Sequence, residues 1–165
     1  TWLLIERLHL GKSSALGAAS GAVAGLATVT PAAGSVLPMQ AMMLAAISSS
    51  VCYFFVMKKH AFGYDDSLDA FGIHGVSGII GPLGVGIFAS QGANSLLFSN
   101  LPAARDGLAQ FLVQGKAILI CGTYSFVITL ALVFLIDRLM GFRLSPEDEE
   151  EGLDFSVHGE KAYNH

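Results

Sequence analysis

Three aspartates, Asp65, Asp66 and Asp69, stand directly before one histidine, His74, in a run that is otherwise free of ionisable groups. From Ala70 to Pro102 only His74 can titrate, and Gly72, Gly75, Gly78, Gly81 and Gly84 recur around it every third residue. A neutral imidazole carries one donor and one acceptor nitrogen, and burial disfavours its charged form. Such a group can accept a proton from a small cation, or hydrogen-bond a neutral amine, without becoming a deep trap for charge. A relay would need a second histidine, acid or base, and the apolar runs of this chain offer none. Two readings of His74 stand side by side. It is a core histidine bonded to a neighbouring helix, or it lines a pathway, as ionisable groups inside membranes commonly do. The acids also have two compatible roles, capping the N-terminus of the helix that follows or forming a vestibule that attracts cations.

The elements that must position these residues are apolar. Charged residues make up 13% of the chain, against about 25% in soluble domains, and mean hydropathy is +0.59. Four uncharged runs, 13–37, 38–57, 70–89 and 117–136, approach or exceed the roughly 20 residues that a helix needs to cross a bilayer. Pro31 and Pro38 bracket the first connection, where continuing the helix would cost a backbone hydrogen bond. Residues 90–106, rich in Asn, Gly, Ser and Pro, form a loop. A soluble four-helix bundle would show a polar face on each helix, and these runs show none. The fold class expected is an all-α polytopic membrane protein, with a transmembrane part over 1–144 and a cytoplasmic tail over 145–165. Thr1–Leu10 reads as the end of an element already under way, so the chain reads as a portion of a longer protein.

Charge gives a direction. Arg7, Lys12, Lys58, Lys59, Arg138, Arg143 and Lys161 fall on one side of the spans, and only Arg105 and Lys116 on the other. The positive-inside rule then places both ends of the chain, and the three aspartates, in the cytoplasm of a cell membrane. Net charge is −4, but seven of the thirteen acids lie between Glu147 and Glu160, leaving the rest mildly basic. Without clustered Lys and Arg there is no nucleic-acid footprint. Cys52 and Cys121 sit in separate apolar runs and read as small buried hydrophobes rather than a disulfide or metal pair. His9, His60 and His165 fall at termini or in loops, where they are expected to be solvated, and Asp137-Arg138 reads as an interfacial pair.

Gly17, Gly21 and Gly25, four residues apart, form a small-residue seam that lets another helix approach. Thr30-Pro31-Ala32-Ala33-Gly34 reads as a helix end. On an α-helical wheel His74 falls between Gly78 and Gly81, so the imidazole is expected beside bare positions that admit a neighbouring helix or a narrow pore. The acidic tail run Glu147–Glu151 is interrupted by Gly152-Leu153-Asp154 and His158-Gly159-Glu160-Lys161-Ala162-Tyr163. A featureless solvated tail needs neither segment, and they read as a docking region.

These motifs together resemble the ammonium transporter (Amt/MEP) family. The resemblance runs through Gly17-Ala18-Ala19-Ser20-Gly21-Ala22-Val23-Ala24-Gly25-Leu26, Thr30-Pro31-Ala32-Ala33-Gly34, Asp65 to Gly75, and Gly86-Ile87-Phe88-Ala89. It closes on Gly152-Leu153-Asp154 and the His158–Tyr163 segment. The related Rh branch shares a histidine-glycine pair, but the acidic stretch and the tail resemble the Amt branch. Pro82 and Val85 depart from the family pattern, and loop 90–106 carries no family feature.

The resemblance implies the last four spans and the cytoplasmic tail of an eleven-helix inverted-repeat transporter, assembled as a homotrimer with one pore per subunit. Ammonium is recruited outside, loses its proton, and passes through a hydrophobic pore lined by two histidines. His74 matches the second, with Gly75, Gly78 and Gly81 packing and lining the pore helix and Asp65, Asp66 and Asp69 as the cytoplasmic cap. The first histidine and the recruitment site belong to the part of the family pattern that this chain does not match. Gly152, Leu153, Asp154, His158, Gly159, Glu160 and Tyr163 match a regulatory tail that packs under neighbouring subunits and supports control by a PII-type signal protein. The partners implied are ammonium or ammonia and the lipid bilayer. No cofactor, metal or enzymatic activity is implied. The alternatives are an ammonium sensor signalling through the tail and a purely structural membrane subunit.

Overall fold

A computed structural model of the chain describes residues 1–89, 107–141 and 143–160, and every regular element among them is helical. Loop 90–106 with Arg105, and the tail residues Lys161, Ala162, Tyr163 and His165, lie outside the described residues. The order is α1 (Trp2–Leu10), α2 (Ala15–Val29), a 3-10 turn (Thr30–Ala32), α3 (Pro38–Phe62), a π turn (Phe71–Gly75) and α4 (Val76–Phe88). Then come α5 (Gly107–Met140), α6 (Pro146–Glu151) and α7 (Leu153–Ser156). Four stretches are long and apolar enough to cross a membrane: Ala15–Ala32, Pro38–Phe62, Phe71–Phe88 and Leu108–Met140.

Helix ends follow backbone chemistry rather than the ends of the apolar runs. The first helix stops short of residue 37. Thr30 Oγ1 bonds back to the Leu26 carbonyl (2.7 Å), and Pro31 sits in the 3-10 turn. Pro38 opens α3, where its missing N–H costs nothing, and Gln40 Oε1 accepts the Leu37 N–H (2.8 Å). That helix continues past Met57 through Lys58, Lys59 and His60, because cations suit a helix C-terminus, and ends at Gly63 with φ +73°. α5 likewise outruns 117–136 at both ends.

By its contacts the chain divides into two compact units, Thr1–Leu119 and Ile120–His165. This division is set by packing, whereas 144/145 was placed by composition. In the first unit α2, α3 and α4 pack on one another. One apolar cluster holds Trp2, Ala24, Cys52, Tyr53, Ile73 and Val76, and another holds Ala32, Leu44 and Val85. Helix α4 approaches α2 closely at Gly81, where any Cβ would overlap the Thr28 carbonyl oxygen and the Pro31 ring. Polar side chains tie the same seam. Thr28 Oγ1 reaches the Ala24 carbonyl (2.7 Å) and the Ser48 hydroxyl, and Ser77 Oγ donates to that Ala24 carbonyl from α4 (3.1 Å). Buried polar groups of this kind are tolerated only when bonded.

α1 is fixed by side chains. The Trp2 and Tyr53 rings meet edge to face at 5.3 Å. The buried Glu6 carboxylate accepts from Ser14 N–H (2.9 Å) and Ser14 Oγ–H (2.8 Å), while Ser14 Oγ, the N-cap of α2, accepts from Gly17 N–H (2.8 Å). In the second unit, Ser145 caps α6 by accepting from Asp148 N–H (3.2 Å) and donating to Asp148 Oδ2 (2.7 Å).

Candidate functional site

His74 sits in the π turn that leads into α4. The turn is defined by Val76 N–H, which reaches the Phe71 carbonyl five residues back as well as the Ile73 carbonyl. Such single wide turns occur disproportionately at functional sites. Three attachments hold it. First, the Asp66 carboxylate accepts from two successive backbone donors, Phe71 N–H at Oδ1 (3.2 Å) and Gly72 N–H at Oδ2 (2.9 Å). Second, Lys59 Nζ, at the end of α3, donates to the Asp66 carbonyl and to Asp69 Oδ1, both at 2.7 Å. Asp69 has φ +56°, a left-handed conformation that aspartate tolerates better than most residues, and its carbonyl accepts Ile73 N–H (2.9 Å). Third, the buried Cys52 thiol donates to the Ile73 carbonyl (3.7 Å) and lies 3.3 Å from Ser77 Oγ.

The three aspartates therefore differ. Asp66 reaches the helix donors and Asp69 pairs with Lys59. Asp65 is exposed and accepts only from Ser67 Oγ (3.2 Å). A recess of about 300 Å³ opens beside them, lined by Lys59, His60, Tyr64, Asp65, Asp66 and Ser67, with Gly63 at its edge.

The imidazole of His74 is exposed, and among the described residues it has no hydrogen-bond partner. The three glycines around it part company. A Cβ at Gly78 would meet nothing within 4 Å, Gly75 lies under the ring of Phe71, and Gly81 is buried against α2 and the 3-10 turn. Gly78 and Gly81, neighbours of His74 on an ideal wheel, thus meet different surroundings, one open and one packed. A π turn carries more than 3.6 residues, so positions before Gly75 are rotated relative to those after it.

Several other residues at the site escaped the sequence reading. Lys59 counted there only as a charge, yet it clamps the approach to the π turn. Cys52 is buried as expected of a small hydrophobe and also donates a hydrogen bond, whereas Cys121, expected to be buried likewise, is exposed. Glu6, Thr28, Ser48 and Ser77 are buried and bonded. His9 is exposed, yet its Nδ1 lies 2.9 Å from the Tyr53 hydroxyl. In the tail, Gly152 (φ +94°) separates α6 from α7, Ser156 Oγ donates to the Gly152 carbonyl (3.1 Å), and Glu160 N–H returns to the Asp154 carbonyl (2.8 Å). Leu153 and His158 are exposed, and Gly159 has φ +65°. Among the described residues no group of three or more His, Cys, Asp or Glu side chains is placed to hold a metal ion.

Four membrane-length helical stretches define an all-helical, multi-pass membrane protein. Residues 1–163 match the Ammonium Transporter Family, and the chain belongs to it. It is 42% identical over 167 residues to an ammonium transporter of Aquifex aeolicus, matching 99% of this chain and 38% of that protein. Identity to an ammonium transporter of Bacillus subtilis is 40% over 168 residues, matching 98% of this chain and 40% of that protein. The crystal structure of Saccharomyces cerevisiae Mep2 superposes with a TM-score of 0.79 at 30% identity, covering 89% of this chain and 34% of that one. The chain thus spans about two-fifths of the length of the curated relatives it matches.

Proposed function

We propose that this chain forms part of a pathway that conducts ammonium or ammonia across a cell membrane, with His74 facing that pathway. The observation that carries the proposal is the state of His74. It is the one ionisable side chain between Ala70 and Pro102, and it is presented outward, without a hydrogen bond among the described residues, by a turn anchored on three sides. A histidine serving only the core would be expected to find a partner within the packed helices. Membership of the Ammonium Transporter Family supplies the substrate class.

In the complete protein these spans are the last four of an eleven-helix inverted-repeat fold, a design that places the substrate site at the repeat interface. A second histidine and the recruitment site come from segments outside these 165 residues. The excess of Lys and Arg on the side of Lys58 and Arg143 supports cytoplasmic ends, so the recess lined by Asp65 and Asp66 faces the cytoplasm. The tail from residue 145, with its two short helices, is the regulatory segment of a homotrimer and the part that a PII-type signal protein engages.

The test is His74→Ala in the complete protein, reconstituted in vesicles. Ammonium flux or its selectivity over other cations is expected to fall while insertion and yield stay at the wild-type level. Unchanged flux and selectivity would remove His74 from the pathway.

A further inference from the structure

We infer that Asp66, its backbone held by Lys59, is a positioning residue that fixes where the π turn presents His74; the inference rests on the reading of His74 as pathway-facing. The argument starts from the π turn. Widening one turn redirects backbone N–H groups that an α-helix would leave at its start. Here the donors at the entrance, Phe71 and Gly72, both point at one carboxylate, one to each oxygen. A fork of this kind fixes direction as well as distance, because two donors on adjacent residues cannot rotate independently about a single pair of acceptors.

The backbone that carries this carboxylate is itself held. Lys59 Nζ bonds the Asp66 carbonyl and the Asp69 carboxylate at 2.7 Å each, with the side chains of Lys59 and Asp69 only 16% and 25% exposed. Gly72 completes the arrangement: a Cβ there would press on Val56 Cγ2 of α3, so only glycine lets the turn lie close enough for its N–H to reach Asp66. His74 is two residues beyond Gly72 and has no hydrogen bond of its own among the described residues. The position and Cα–Cβ direction of His74 are therefore set by the backbone of the turn, whose first two N–H groups are held by Asp66.

The experiment uses the complete protein in vesicles, carrying Asp66→Ala, Asp66→Asn, Lys59→Met or His74→Ala. Two readouts are taken: ammonium flux against concentration, and the ring-nitrogen resonances of the ¹⁵N-histidine-labelled protein, with the His74 signal identified by its loss in His74→Ala. Asp66→Ala is expected to move the His74 resonance while leaving that of His9, on Tyr53, in place. Flux should fall by at least about tenfold, the factor that one lost bond to a charged acceptor represents, since two such bonds are removed. Asp66→Asn keeps one acceptor oxygen and recovers part of both effects. Lys59→Met shifts both readouts in the same direction by less, and it carries the test if Asp66→Ala does not fold. An unmoved His74 resonance, equal displacement of His9 and His74, or wild-type flux in Asp66→Ala overturns the inference. Wild-type flux in His74→Ala overturns only the pathway reading, since the resonance arm does not depend on transport.

Discussion

Helices α4 and α5 are both apolar enough to cross a membrane, yet they meet their surroundings differently. α4 buries Val76, Ser77, Gly81, Gly84 and Val85 in the first unit, largely against α2, α3 and their connections, and Gly86 lies against Phe111 near the start of α5. Beyond that contact α5 keeps Leu119, Ile120, Phe126, Leu130 and Phe134 exposed. Both are apolar enough to span, so hydropathy alone does not decide how each packs. What separates them is small and hydroxyl-bearing side chains placed where another backbone passes. Lipid tails are as apolar as leucine, so helices associate in a membrane through close contact and interhelical hydrogen bonds rather than through burial of oily surface. A helix that is apolar on every side is covered by lipid or by other protein segments.

The sharpest test of that contrast lies within α4. Gly81→Ala places a methyl against the Thr28 backbone oxygen and the Pro31 ring, neither of which can rotate away. The expected loss is about 3 kcal/mol, at the upper end of ordinary overpacking, seen as a lower unfolding temperature of the detergent-solubilised protein. Gly78→Ala enters open space and should leave stability within about 1 kcal/mol. If Gly78 borders the pathway, the same substitution reduces ammonium flux. Equal destabilisation by the two changes would abolish the distinction between a packed and an open face.

A smaller effect separates α4 from α5. Ser77→Ala removes the bond to the Ala24 carbonyl and a contact of Cys52, for an expected cost of about 1 kcal/mol, in the range measured for interhelical bonds in membranes. Ser125 is exposed on α5, and Ser125→Ala is expected to change stability by less than about 0.5 kcal/mol. Thermal unfolding of the two variants side by side decides this. A larger loss at Ser125 would mean that α5 is held by hydrogen bonds after all.

What the sequence made legible follows the same divide. Four long uncharged runs required four helices, because length and hydropathy are additive along the chain. Their ends were misplaced wherever charge stopped the apolar run but not the helix, as at Lys58 and Lys59. His74 stood out because a lone titratable residue in an apolar run is visible without any coordinates. The π turn beneath it was not visible, since a wheel assumes 3.6 residues per turn and the residues that anchor the turn, Asp66, Lys59 and Cys52, lie outside the run. Thr28, Ser48 and Ser77 were unreadable for a related reason. Each is a single small polar residue in its own helix, and their meaning appears only when three helices bring them together.

The smallest expected effect probes what covers α5. Gly115 and Gly122 lie inside that helix, and a Cβ at either position would meet nothing within 4 Å. Glycine is about 0.8–1 kcal/mol less favourable than alanine in a helix interior, so Gly122→Ala should be neutral or slightly stabilising if only lipid lies beside it. Unfolding temperature and the size of the purified assembly in detergent measure this together. A raised or unchanged temperature with unaltered assembly size keeps α5 as a lipid-facing helix at that position. A loss of stability, or a smaller assembly, would mean that another helix passes against Gly122 as α2 passes against Gly81. The contrast between the two spans would then be one of which partner is present, not of how each helix is built.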